Sequence, residues 1–324
     1  MTDDKRGDPR PVVNGILNVD KPAEITTMDV VRRIKRASRQ KRVGHGGTLD
    51  PIATGVVPIC IGQATRMMEY LIEGTREYRS GVELGVATDT YDAHGQVVSK
   101  QDPSSVTLTD VEQAVDSFRG SIEQVPPMYS ALKRDGKRLY DLARAGVEVE
   151  REARKIQVSR LEILDWSPPI VTLEISCGRG FYMRSLAHDL GQVLGCGAHM
   201  KTLVRLGSGP FRLADSLTLE VAEERIADDS WFDDLYHPDC IVVDMRAMIV
   251  GKETEAMLRH GRPLPPGLRI PAPQPGEQCR AYGTDGGFIA IISFDASEAR
   301  WRPERVFSMK DPERTESAPG LVPR

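Results

Sequence analysis

Alternating and blocked apolar positions divide the chain into short strands and amphipathic helices. Residues 12–20 (VVNGILNVD) read as a strand that stops at Lys21-Pro22. Thr26 or Thr27 caps a helix whose apolar face is Val30, Val31, Ile34 and Ala37. A glycine-rich loop at 44–47 follows, and 55–62 (GVVPICIG) has the continuous apolar character of a buried strand. A short helix is predicted near 64–73 and an alternating strand over 76–87. Residues 108–118 form a helix with Val111, Ala114, Val115 and Phe118 on one face, and 137–145 another, ended by Gly146. Strand patterns at 156–164 and 170–177 precede a helix over about 182–194, with Met183, Leu186, Ala187, Leu190 and Leu194 inward. Residues 199–206 are strand-like.

These elements follow no strict βαβ rhythm. They predict an α+β fold with a mixed, mostly antiparallel sheet flanked by helices. An acid-rich segment at 215–240 separates a C-terminal stretch with its own strands at 288–293 and 304–308 and a proline-rich bend between 263 and 275. The expected organisation is a polar, disordered tail over 1–10, a main domain over 11–240, a small β-rich domain over 241–310, and a tail over 311–324. The final LVPR resembles the remnant of a cleavable tag and is set aside from the fold.

Composition narrows the class. At 324 residues, with 40% hydrophobic and 28% charged positions, the chain is neither wholly disordered, collagenous nor a coiled coil. No apolar run reaches the ~18 residues of a membrane helix, and the N-terminus lacks a signal-peptide core, so a cytoplasmic protein is expected. The five cysteines are scattered and never form a C-x-x-C pair; free thiols are expected, and no metal site. A net charge of −4 hides an asymmetry. Residues 215–240 hold nine acids and one Arg, a local −8, which leaves +4 for the remainder. Residues 32–42 (RRIKRASRQKR) carry seven Lys/Arg and no acid, including Arg32, Arg33, Lys35 and Arg36. A second basic zone holds Lys133, Arg134, Lys137, Arg138 and Arg144, followed by Arg151, Arg154 and Lys155. Such runs suit either a solvated helix face or a polyanion-binding surface.

No Walker loop, strand-borne G-x-G-x-x-G, G-x-S-x-G elbow or kinase signature is present, so no cofactor is expected. The chemically loaded stretch is Gly44-His45-Gly46-Gly47-Thr48-Leu49-Asp50-Pro51. Its glycines admit a close ligand, and Pro51 biases Asp50 toward extended backbone. A carboxylate on such a loop suits covalent or general-base chemistry on a bound polyanion, or simply caps the next turn.

The run G-H-G-G-T-L-D-P-x-A-T-G resembles the catalytic motif of TruB-type tRNA pseudouridine synthases, which act on uridine 55 of the tRNA T loop. Further blocks resemble the same family in the same order: GILNVDKP at 15–22, Arg76-Glu77-Tyr78, QVPPMYSALK at 124–133, GKRLY at 136–140, and GFYMRS at 180–185 with Asp189-Leu190-Gly191. The resemblance covers about 12–210. It departs at Gly46, where many bacterial members have Thr, and an altered loop contact is expected there. It implies a pseudouridine synthase fold over 11–240 and, more loosely, a PUA-like RNA-binding domain over 241–310. It implies Asp50 as the catalytic carboxylate, Arg184 as the guanidinium holding it charged, and Tyr78 as the ring that stacks on the base and accepts a proton. His45 would pack against the flipped nucleotide, Lys21 neutralise phosphate or position the pocket, Tyr182 line it, and Leu206 form an apolar wall under the uracil. Arg32, Arg33, Lys35, Arg36, Lys133, Arg134, Lys137 and Arg138 would contact RNA phosphates. The implied partner is tRNA, met by a monomer with no cofactor, metal, membrane or protein partner. Two other readings fit the same residues: an RNA-binding folding factor that needs no catalysis, and a guide-RNA-dependent synthase acting on ribosomal RNA.

Overall fold

The structure, a computed structural model, describes residues 12–130, 132–134, 136–147, 149–264 and 273–309. The two predicted tails and the centre of the proline-rich bend lie outside these residues. From the N-terminus come β1 (Gly15–Lys21), α1 (Thr27–Ser38), β2 (Val43–His45) and β3 (Thr54–Ile61). A 3-10 segment (Gly62–Met67) runs into α2 (Met68–Glu73), followed by β4 (Arg76–Leu84), β5 (Val86–Thr88), β6 (Val97–Lys100), α3 (Leu108–Asp116) and β7 (Gly120–Gln124). Then come β8 (Lys133–Arg134), β9 (Lys137–Arg138), α4 (Leu139–Arg144), β10 (Arg154–Ser167), β11 (Ile170–Cys177), α5 (Met183–Val193) and β12 (Ala198–Ser208). The chain continues through β13 (Phe211–Arg212), β14 (Leu217–Thr218), α6 (Leu219–Ala227) and β15 (Leu235–Tyr236). It ends in β16 (Arg246–Ile249), α7 (Lys252–Arg259), β17 (Gln278–Tyr282), β18 (Phe288–Asp295) and β19 (Arg300–Val306).

The main sheet runs in the order β14-β1-β3-β12-β4-β11-β10-β7, with β2, β13 and β15 attached at its margins. Its pairings are antiparallel except β1–β14 and β3–β12. The α+β expectation with a mixed, mostly antiparallel sheet is met. The strands at its centre are buried on both faces, which is why 55–62 reads as one apolar block. On β1 and β3, Leu17, Val19, Val57, Ile59 and Ile61 face the larger core, shared with α1, α3, α5 and α6. Ile16, Val56 and Cys60 face a smaller core on the opposite side, with Leu71 and Phe211.

Helix α1 forms where expected because Thr26 and Asp29 make a reciprocal capping box, and Val30, Val31 and Ile34 are buried on the sheet. One expectation shifts. The helix predicted from residue 137 starts at Leu139, because Lys137 and Arg138 pair with Arg134 and Lys133 across a turn at Gly136 (φ +79°). The acid-rich stretch 215–240 packs onto the main sheet: β15 pairs with β1, Trp231 is buried in the larger core, and Glu220 and Glu223 of α6 ion-pair with Arg33 of α1. These ion pairs join the acidic and basic segments, a proximity that no reading along the chain contains.

A second sheet, β16-β17-β18-β19, forms a small C-terminal β domain. It docks on residues 62–73: Met67 shares a core with Val242, Phe288, Ile291 and Phe307, and Arg305 ion-pairs with Glu69. Among the described residues no helix is long and apolar enough to cross a membrane.

Candidate active site

Loop 46–53 joins β2 to β3, and its backbone is held from several directions. Arg205 of β12 donates to the carbonyls of Gly47 (3.3 Å) and Thr48 (3.2 Å). Thr27, at the start of α1, accepts from the Leu49 amide at 2.9 Å and donates to the Leu49 carbonyl at 3.1 Å. The Asp50 carbonyl accepts from Ala53 N, and the Pro51 carbonyl from Lys21 Nζ (3.1 Å) and Glu24 N (2.8 Å). Every carbonyl from Gly47 to Pro51 therefore has a donor, which fixes the loop as a functional loop must be fixed. Gly55 closes it: a Cβ there would lie 2.3 Å from the Arg205 carbonyl, so only glycine lets β3 pass β12 this closely.

The Asp50 side chain projects from this frame, 29% exposed. Arg184 meets it with a bidentate pair, Nε to Oδ2 and Nη2 to Oδ1, both 2.9 Å. Such fork-to-carboxylate contacts are the strong, directional form of ion pair. Arg184 is 5% exposed and also donates to the Tyr129 carbonyl at 2.9 Å. A second carboxylate, Asp92, stands 3.8 Å from Arg184 Nε and is itself held by Thr90 Oγ1 at 2.6 Å. Arg184 lies in the first turn of α5. Gln124 orients that turn by donating to the Tyr182 carbonyl (3.0 Å) and accepting from the Tyr182 amide (2.7 Å).

Tyr78, on β4, is the register partner of Arg205 on β12, so the two share a face of the sheet. Its ring is 7% exposed and stacks toward Phe181 at 6.4 Å; burial pushes its phenol up, and Arg205 opposes that push. His45, at the end of β2, accepts the Gly47 amide on Nδ1 at 3.3 Å, and burial keeps its ring below the usual histidine range. Tyr182 is half-buried at the cap of α5, and its phenol is raised by burial.

Lys21 is fully buried, and its ammonium donates to the carbonyls of Pro22, Ile25 and Pro51. Burial pulls it down to about 8. Of its two expected roles, the geometry supports positioning; no face is left for a phosphate. Leu206 is the extra residue of a β-bulge between Arg205 and Gly207, outside the alternation that puts Arg205 beside Tyr78. Leu203, two residues before Arg205 and 5% exposed, shares the Arg205 face. Among the basic residues of α1, Arg33 is taken by Glu223 and Glu220, and Arg32 by Asp29 at 2.5 Å. Lys35 and Arg36 are exposed. Lys133, Arg134, Lys137 and Arg138 form the β8–β9 hairpin, and their side chains lie outside the described residues.

Residues 35–183 match the TruB family of pseudouridylate synthases in its N-terminal domain, and 184–249 match the tRNA pseudouridylate synthase B C-terminal domain. The chain belongs to the TruB family. It is 41% identical over 295 residues to a tRNA pseudouridine synthase B of Dehalococcoides mccartyi, covering 91% of this chain and 97% of the relative. The same-named protein of Pseudomonas aeruginosa is 48% identical over 65% of this chain and 69% of its own. Among solved structures, a Cbf5–Nop10–Gar1 complex is similar at a TM-score of 0.69 and 25% identity, over 92% of this chain and 86% of that one. The TruB membership makes this chain a pseudouridine synthase, and the Asp50–Arg184 pair lies within its matched segments. Arg205, Asp92, Thr27 and Gln124 escaped the sequence reading because each acts through a partner far away in the chain. The only available signal was a charged residue inside an apolar strand, LVRLG, at Arg205.

Proposed function

We propose that this protein isomerises uridine 55 in the T loop of tRNA to pseudouridine, with Asp50 as the catalytic carboxylate. The observation that carries the reading is the bidentate Arg184–Asp50 pair on a loop whose carbonyls from Gly47 to Pro51 are all held. The family relationship supplies the reaction, and the name shared by the relatives supplies tRNA as the substrate class. The reaction breaks the N1–C1′ bond, turns the uracil and rejoins it through C5, with no net loss or gain of atoms or electrons. Asp50 would attack the base, attack the sugar or take the C2′ proton, and each route needs an ionised carboxylate in a fixed place. Tyr78 would stack on the everted uracil, repaying part of the few kcal/mol that flipping costs. His45, Tyr182 and Leu203 would line the pocket. Exposed bases of α1 and the β8–β9 hairpin would hold phosphates without reading sequence, leaving recognition to the folded shape of the loop. The C-terminal sheet is proposed as a further RNA contact.

The test uses an unmodified tRNA transcript labelled with [5-³H]uridine and no added protein. Tritium release mapped to position 55, and abolished by a U55C transcript, is expected. Release that persists with U55C, or that needs a guide RNA or a second protein, would overturn the assignment.

A further inference from the structure

Arg205 is 0% exposed in the middle of the main sheet, and no carboxylate ion-pairs with it among the described residues. Burying a cation without an anion is costly, so such a group marks a site where negative charge is to be met. Three carbonyls satisfy part of the guanidinium: Val56 at 2.6 Å, Thr48 and Gly47. Directly across the sheet from it stands Tyr78, its register partner on β4, likewise buried. We propose that Arg205 is a positioning residue that stabilises the phenolate form of Tyr78, readying it to take the proton from C5 of the rejoined uracil. The inference rests on the reading of Asp50 and Tyr78 given above.

In that step the C5–H bond breaks and its proton goes to the phenolate oxygen. The electron pair forms the C5=C6 double bond, the C6=N1 pair moves onto N1, and N1 takes a proton from water. The phenol then releases its proton to solvent. Burial is the largest influence and favours the neutral phenol; the facing groups act against or with it. Arg76 and Cys177 face Tyr78, Arg205 and Arg76 favouring the phenolate and Cys177 opposing it. Arg76 and Asp50 face Arg205, which in turn bears on Lys21 and His45. Arg76 is held in the same way by the carbonyls of Leu71, Ile72 and Gly74; Arg205 is the cation set directly opposite Tyr78 in strand register.

The experiment is a single-turnover pH profile on saturating tRNA for the wild type, Arg205→Gln, Arg205→Lys and Tyr78→Phe, with tRNA binding and thermal melting measured alongside. The wild-type rate is expected to rise with pH to a plateau. In Arg205→Gln the rising limb moves alkaline by about one pH unit or more, so the rate falls about tenfold at neutral pH and recovers at high pH. Arg205→Lys, whose ammonium cannot reach both the loop carbonyls and the hydroxyl, moves the limb the same way by less, and it decides the matter should Arg205→Gln not fold. An equal rate loss at every pH in a folded, tRNA-binding variant makes Arg205 a scaffold residue and overturns the proposal. Full activity in Tyr78→Phe would instead overturn the reading of Tyr78 on which it stands.

Discussion

Asp50 sits in a place that its neighbours determine. Lys21 shows how: a buried ammonium spends its three N–H groups on backbone carbonyls, one of them next to Asp50. Its proton is held more loosely in the folded chain, at about 8 against an ordinary 10.5. Between those values the unfolded chain keeps a proton that the folded chain has lost, so unfolding takes up a proton and stability rises with pH across the window. Lys21→Met should abolish this rise. Urea midpoints of both proteins at pH 7 and pH 10 check it, and an unchanged pH dependence would show that Lys21 is not the titrating group. Gly46 is a second case. A Cβ there would lie 2.5 Å from Leu71 Cδ1, so the absence of a side chain and the presence of Leu71 belong together. Gly46→Thr is expected to cost about 1–3 kcal/mol, and markedly less in a Leu71→Ala background. Equal costs in the two backgrounds, by denaturant titration, would show that the sites are uncoupled.

At the scale of elements, α1 does two jobs on two faces. Arg33 faces α6 and is held by Glu223 and Glu220. Lys35, Arg36, Arg39, Lys41 and Arg42 face solvent. Arg33→Ala should lower stability by about 1 kcal/mol and leave the salt dependence of tRNA binding unchanged. Lys35→Glu with Arg36→Glu should do the reverse, weakening tRNA binding and flattening the salt slope as fewer counterions are released. Filter binding from low to moderate salt separates the two. The sequence made α1 legible down to its cap, because capping and amphipathicity are local. It made Asp50 and Arg184 legible through motifs. It hid the fold-back of 215–240, the bulge at Leu206 and the partnership of Arg205 with Tyr78. Those depend on strand register and on charges nearly two hundred residues apart, which no window of the chain contains.

At the scale of the molecule, residues 62–73 connect everything. One side carries Met68 against Gly44 and Leu71 against Gly46, just before Asp50, and the other carries Met67 into the core of the C-terminal sheet. Phe307, 0% exposed, is stacked on Phe288 at 4.8 Å in that shared core. Phe307→Ala should cost about 3–5 kcal/mol locally and speed amide exchange in β18 and β19 while β3 stays protected. Uniform loss of protection would mean that the two sheets unfold as one unit.

All of these scales converge on one carboxylate. Purified Asp50→Asn should melt near the wild-type temperature and bind tRNA with near wild-type affinity, yet release no tritium from [5-³H]uridine tRNA under conditions where the wild type reaches completion. Measurable turnover by that folded variant, at even a few per cent of the wild-type rate, would show that Asp50 is not the group on which the isomerisation depends.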